Sequence, residues 1–244
     1  MKRPDTNDPK SIRYRMRKAR FKWIEGLLDG VLSRKDGATI LDVGGRRDYW
    51  KLLDPAYRNR IHLTILNTEE DVAREEQSDD IGITIQTVVG DGTNMPEYAD
   101  GAFDLVHSNS VIEHVGLYRN MAAFARETRR VGRAYYHQTP NFWFPLEPHY
   151  GLPFIHWLPE PTRLFLHSTV NLGFAKRASS WEGAMARVDH TRIVSRRLLR
   201  NLFPDGIHET ERFALMPKSL IVYRRWGEQN ELTWKSPKPK GLRL

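Results

Sequence analysis

The chain of 244 residues contains no cysteine. That excludes disulfides, zinc–thiolate cages and thiol nucleophiles, and it favours a cytoplasmic setting. No apolar run approaches the roughly 20 residues that span a bilayer. Met1-Lys-Arg-Pro-Asp5 is charged but lacks the apolar stretch of a secretory signal behind it, so none is expected. No internal repeat is present, and neither is a zinc-finger, helix-turn-helix or RNP-type aromatic signature; a nucleic-acid partner is therefore not expected. Acids are the scarcer charge: 30 Asp and Glu against 38 Lys and Arg leave a net charge of +8. The excess gathers at Lys10–Lys22, Arg126–Arg133 and Arg192–Arg200. The first and third are read as amphipathic helices whose basic faces are solvated. The sharper alternative is affinity for an anionic partner, such as a phosphorylated sugar or the headgroups of an anionic membrane surface.

What is present is a repeated pattern. Short apolar runs end in small or acidic residues at Thr39-Ile-Leu-Asp-Val-Gly-Gly45, Val88-Val-Gly-Asp91 and Phe103-Asp-Leu-Val-His-Ser-Asn-Ser110. Buried parallel strands look like this when they deliver loops to a ligand at their carboxyl ends. Hydrophobic residues make up 40% of the chain, enough for one α/β domain of this length. A helix is expected from Ser11, its N-cap, to about Leu32. Strands are expected at Thr39–Val43, Ile61–Leu66, Ile83–Val89, Phe103–Ser108, Arg133–His137, Gly206–Phe213 and Ser219–Tyr223. Further helices are expected at Met121–Val131, at Thr162–Leu172 with Thr162 as N-cap, and at Ser195–Phe203 with Ser195 in that role. Tyr49–Leu53 is too short for a confident helix, with Pro55 read as a stop, and Glu69–Asp80 is read as a loop or short helix. The alternation gives a doubly wound, mostly parallel sheet.

Thr139–Pro161 breaks the alternation with six prolines and interleaved aromatics. A loop of that length inside a compact domain is usually a lid or binding insert. The expected division is a flexible 1–10, a single domain over 11–225 with 139–161 as an acceptor-side insert, and a loose tail over 226–244.

In order and spacing, these strand ends resemble class I S-adenosylmethionine (SAM)-dependent methyltransferases, and most closely the small bacterial type 11 proteins. The resemblance spans roughly residues 30–225. It implies a Rossmann-like fold with an antiparallel last strand, SAM as cofactor, and methyl transfer to a small-molecule acceptor such as a glycan, a lipid precursor or another metabolite.

Residue by residue, Asp42 and Gly44 match the family's acid-x-Gly-x-Gly turn, with Gly45 shifted and Arg46-Arg47 in place of the later glycines. Asn67 ends the second strand, where the family places an acid for the ribose hydroxyls, and Glu69 follows two residues on. Asp91, flanked by Gly90 and Gly92, stands where an acid accepts from the adenine amine, and Met95-Pro96 continues the family's register. Asn109 and Ser110 end the fourth strand, facing the expected methyl group, with Val111-Ile-Glu-His114 behind them. Tyr136-His-Gln-Thr-Pro-Asn141 and Trp143-Phe-Pro-Leu-Glu-Pro-His149 resemble a type 11 run that carries the insert.

His149 and His114 are the candidate general bases, and the other reading of His114 is a histidine that only bonds neighbouring backbone. Glu147 is a candidate for orienting a hydroxyl. The spacing of His137, His149, His156, Glu113 and Glu147 fits no recognised cage, so no metal is expected. Two other readings remain: a degenerate methyltransferase fold acting as a basic binding module, and a nicotinamide-dependent oxidoreductase. The second lacks its Gly-x-Gly-x-x-Gly fingerprint after the first strand.

Overall fold

The computed structural model describes residues 8–70 and 80–228. In chain order the elements are α1 (Ile12–Leu32), β1 (Ala38–Val43), α2 (Arg47–Trp50), α3 (Pro55–Arg58), β2 (Ile61–Asn67), β3 (Thr84–Val89) and β4 (Phe103–Asn109). They continue with α4 (Tyr118–Val131), β5 (Gly132–Pro140), β6 (Leu146–Glu147), β7 (Leu152–Pro153), α5 (Glu160–Thr169), α6 (Trp181–Asp189), α7 (Arg196–Leu202), β8 (Ile207–Phe213) and β9 (Met216–Arg224). Seven strands form one sheet in the order β3-β2-β1-β4-β5-β9-β8, and β6 and β7 form a separate hairpin. The pairs along β3-β2-β1-β4-β5 are parallel, while β9 runs antiparallel to both β5 and β8. The order reverses between β1 and β4, where open α/β sheets open a crevice at their carboxyl ends.

Strand residues alternate between two cores because neighbouring side chains leave a strand on opposite faces. Ile40, Leu63, Ile65, Leu105, Ala134 and Tyr136 join α1 and the residues around α2 in one. Leu41, Val43, Leu66, Val106, Tyr135 and Val222 join α4 and α7 in the other. Among the described residues no helix is long and apolar enough to cross a membrane.

Most expected elements are present, with shifted ends. Ser11 caps α1 by accepting from the Tyr14 N–H at 3.1 Å, and Ser195 caps α7 by accepting from Leu198 N–H at 3.3 Å. Thr162 does not cap a helix. Helix α5 starts earlier, with Pro161 in its first turn and Pro159 before it. Proline's fixed φ and missing N–H suit a first turn, so the proline pair takes the place of a capping side chain. Pro55 likewise opens α3 instead of stopping a helix, with Asp54 accepting from Ala56 N–H at 2.9 Å. Helix α6, capped by Ser180, was not expected.

The expected tail begins too early. Trp226 stacks under the guanidiniums of Arg34 and Arg133 at 5.4 and 4.8 Å. Residues 71–79 of the expected acidic loop, and the termini before 8 and after 228, lie outside the described residues.

The basic cluster at the start of α1 is not a solvated face throughout. Arg20 is buried and paired with Glu211, and Lys18 donates to the Leu52 carbonyl. Arg17 lies over the Tyr49 ring at 5.2 Å.

One buried residue gives the fold an acid limit. His137 is 2% exposed, and neither ring nitrogen has a partner among the described residues. It sits among Phe124, Tyr135 and Phe203. Burial, with a smaller push from His107, lowers its pKa to about 3. The folded state thus keeps it neutral, while the unfolded chain takes up a proton near pH 6.5. Stability from this residue is complete above that pH. It is lost, at about 1.4 kcal/mol per unit at most, as pH falls toward 3. Urea midpoints measured from pH 8 to 4 should fall less steeply for His137→Phe than for the unaltered chain. Equal slopes would mean that His137 does not set this limit.

Candidate active site

Two cavities open near the carboxyl edge of the sheet. The first, about 330 Å³, is lined by Val43 and Gly44 after β1, Leu66, Asn67 and Thr68 at β2, and Gly90–Thr93 after β3. Val111, His114, Val115, Asn120 and Phe124 complete it. The fit to a nucleoside-like group is physical. Gly44 has φ +70°, and a Cβ there would meet Val111 Cγ2 at 2.5 Å, so only glycine leaves the turn open. Leu66, Val111, Val115 and Phe124 give apolar walls for a flat ring, and Asp91 gives an exposed carboxylate at the rim. That carboxylate accepts from the Thr93 N–H and hydroxyl, both at 2.8 Å, which fixes its position.

Of the expected cofactor residues, Gly44, Asn67, Asp91 and Gly92 line this cavity. Asp42, Gly45, Glu69, Asn109 and Ser110 do not, and the reasons differ. Asp42 precedes Val43 on β1, and strand alternation sends its side chain to the opposite face. There it is wholly buried, accepting from Trp50 Nε1 at 2.7 Å and pairing with His107 Nδ1 at 2.6 Å. Its carboxylate underlies Gly45, where a Cβ would collide with Asp42 Oδ2. Asp42 and Gly45 therefore shape the turn and do not touch the cavity. Asn67 serves both purposes: it lines the cavity and donates to the Gly45 carbonyl at 2.9 Å.

Glu69 is exposed, and Thr68 is the β2-end residue at the wall. Asn109 accepts from Arg20 at 2.9 Å on the α1 side of the sheet. Ser110, in left-handed backbone at φ 59°, bonds Gln138 through its hydroxyl and its N–H. Thr68, Thr93 and Asn120 were not anticipated, because isolated polar residues near strand ends carry no signal of their own.

The second cavity, about 410 Å³, lies against the insert. It is lined by Phe142, Trp143, Tyr150 and Ile155, by Glu147, His156 and His167, and by three arginines, Arg163, Arg187 and Arg192, among others. Six of these residues, Phe142, Trp143, Glu147, Tyr150, Ile155 and His156, belong to the insert. Phe154 and Trp157, by contrast, are turned outward, at 51% and 40% exposed. His156 donates through Nε2 to the Phe142 carbonyl at 2.9 Å, which leaves it a structural tie.

Between the cavities sits a chain of ionisable groups. His114 lines the first cavity and Glu147 the second. His149 joins them: Nδ1 meets Glu147 Oε1 at 2.5 Å and Nε2 meets His114 Nε2 at 3.1 Å. His114 Nδ1 lies 2.9 Å from the His190 carbonyl, which only accepts, so Nδ1 carries the hydrogen. Burial is the main cause that lowers the His114 pKa, to about 4, so this ring is neutral. Glu113 is wholly buried, and Oε2 accepts from the Thr139 hydroxyl at 3.0 Å. Burial raises its pKa to about 7 against the pull of its own backbone N–H, His149, Thr139 and Arg20. His114 thus bonds backbone through Nδ1 and lines the first cavity. Glu113, His114 and His149 offer ligand atoms within 4.8 Å of one another. Sequence spacing gave no hint of this cage-like arrangement, because the insert, not a single helix, brings His149 to the other two.

Residues 41–134 match the type 11 family model described as a methyltransferase domain. No curated protein sequence matches the chain. Among solved structures, the PH0226 protein of Pyrococcus horikoshii OT3 is similar over 88% of this chain and 92% of its own, at 16% identity and a TM-score of 0.53. An O-methyltransferase family protein from Burkholderia thailandensis is similar over 87% of this chain and 58% of its own, at 14% identity and a TM-score of 0.51. The N-terminal domain of EvdMO1, solved with S-adenosylhomocysteine (SAH) bound, is similar over 86% and 81%, at 15% identity and a TM-score of 0.51.

Proposed function

We propose that this chain, a SAM-dependent methyltransferase of class I fold, methylates a small anionic organic acceptor held in the arginine-lined cavity. The observation that carries this reading is the Glu147–His149–His114 chain, which spans from one cavity to the other. SAM supplies an electrophilic methyl group when bound. The residues that would hold it are Gly44, Asn67, Thr68, Asp91 and the apolar walls around them. The task left to the protein is to align the acceptor, exclude water and handle a proton. Phe142, Trp143 and Tyr150 give the acceptor an organic surface, and Arg163, Arg187 and Arg192 favour a carboxylate or phosphate on it. His149, braced by Glu147, would orient or deprotonate an acceptor hydroxyl.

The test is incubation with SAM labelled on its methyl group and a cell extract separated by anion exchange. Label should enter small molecules retained on the column. Label confined to the unretained fraction would overturn the anionic acceptor.

For the cofactor side, Asp91→Ala removes the acidic acceptor that the described residues place on the first cavity's wall. Binding of SAH should weaken by about 1–3 kcal/mol, measured by calorimetry. An unchanged dissociation constant would mean that Asp91 contacts no part of the cofactor.

A further inference from the structure

We infer that Glu113, His114 and His149 form a binding site for one divalent transition-metal ion, placed between the two cavities. The role given to the ion rests on the methyltransferase reading above, but the site itself does not.

The geometry carries the argument. Each imidazole has its Nδ1 tied to a fixed acceptor, His114 to the His190 carbonyl and His149 to Glu147. That arrangement directs both Nε2 atoms to the same point, where they stand 3.1 Å apart. Two imidazole nitrogens on one ion, each at about 2.1 Å, lie about 3.0–3.4 Å apart for bond angles between octahedral and tetrahedral. Histidines that bind metals commonly hold the other ring nitrogen to a carbonyl or carboxylate, and both histidines here do so.

Without an ion, a proton must lie between the facing nitrogens. The third group is independent of the histidines. Glu113 is 0% exposed, and its Oε1 has no hydrogen-bond partner among the described residues. A buried carboxylate oxygen without a partner is costly unless something cationic meets it. Its ligand atom lies within 4.8 Å of those of both histidines, close enough for a modest adjustment to bring all three onto one ion.

Two imidazoles and one carboxylate suit zinc, manganese, iron or cobalt in the divalent state better than magnesium or calcium. Three protein ligands leave at least one position open. An acceptor oxygen in that position would have its hydroxyl pKa lowered, with the proton leaving to solvent. The site would then do for the acceptor what a lone histidine base does less strongly.

The experiment measures metal uptake and needs no acceptor. Untagged full-length protein is stripped with EDTA, dialysed, and titrated with zinc chloride and, separately, with cobalt chloride. The expected result is one ion per chain, with visible d–d absorption from cobalt and a rise in melting temperature. His149→Ala and Glu113→Gln should each weaken binding at least tenfold. Circular dichroism checks that both variants fold. His149→Gln serves as the second variant at the less buried ligand, whose side chain is 20% exposed. A folded protein that takes up neither ion overturns the site. So does a His149 variant that binds as tightly as the unaltered chain. A chain that methylates an acceptor yet binds no ion loses this inference and keeps its function. A chain that binds one ion and methylates nothing keeps the site and loses the role assigned to it.

Discussion

Replacing His149 with alanine is expected to lower methyl-transfer turnover by about 10²–10⁴-fold, with SAH affinity unchanged. The separation follows from position. His149 is not on the wall of the nucleoside-like cavity and reaches it only through His114. It is held instead by Glu147, which is buried and lines the arginine-bearing cavity. Glu147 is itself fixed, because Oε2 accepts from the Tyr150 N–H at 2.7 Å while Oε1 holds the ring. Losing the imidazole therefore removes the link between the two cavities and leaves the walls of the first in place. The measurement is paired: the dissociation constant for SAH, and single-turnover rates on the acceptor once it is identified. An unchanged rate would make His149 structural and move the proton-handling role to His114. A collapse of SAH binding would mean that the cluster belongs to the cofactor site, and the division between the two cavities would be wrong.

The central strands of the fold were legible in the sequence because they are buried on both faces and carry short apolar stretches that end in small or polar residues. Thr39–Val43 and Phe103–Ser108 are such stretches, and both lie inside observed strands. The site was legible only as a set of neighbourhoods. A motif shows which strand ends meet the ligand. It does not show which of two adjacent side chains points there, since a one-residue difference reverses the face. Asp42 and Val43 illustrate this: the chemically suggestive acid is the buried brace, and the bland valine is the wall. Tertiary placement by the insert was invisible for a different reason. His114 and His149 are 35 positions apart, and only the hairpin of β6 and β7 brings them together. The stop signal at Pro55 failed because proline has two meanings. It ends a helix pattern when read from the left and begins one when read from the right.

The largest effect on stability is expected at Arg20, which looked like one more charge on a basic helix. Its guanidinium is buried under the sheet edge. It makes a two-point contact with Glu211, at 2.9 and 2.7 Å, and donates to Asn109 and Gln138 at 2.9 and 3.1 Å. It thus ties α1 to β8 and to the ends of β4 and β5. Arg20→Met keeps much of the apolar stem but takes the counter-charge from the Glu211 carboxylate and a donor from each of the Asn109 and Gln138 amide oxygens. Breaking a buried pair from one side costs about 3–5 kcal/mol, far more than the loss of an exposed lysine on the same helix.

The pH dependence gives the mechanism a separate signature. Burial would raise the Glu211 pKa, but the Arg20 bond outweighs it and holds the carboxyl below its ordinary value. A depressed carboxylate contributes stability above its unfolded pKa and loses it as pH falls through the folded one. In Arg20→Met the same carboxyl keeps only the weaker pull of Ser219 and Lys218 against burial and protonates more readily. The deficit between variant and unaltered chain should therefore be largest near neutrality and shrink as pH drops below about 4.5. Adding Glu211→Leu should restore part of the loss at pH 7, since an apolar pair needs no counter-charge. Urea unfolding of the single and double variants at pH 7 and pH 4 measures all of this. A deficit independent of pH, or a double variant no better than the single one, would show that Arg20 acts through packing and its amide contacts, and not through its pair with Glu211.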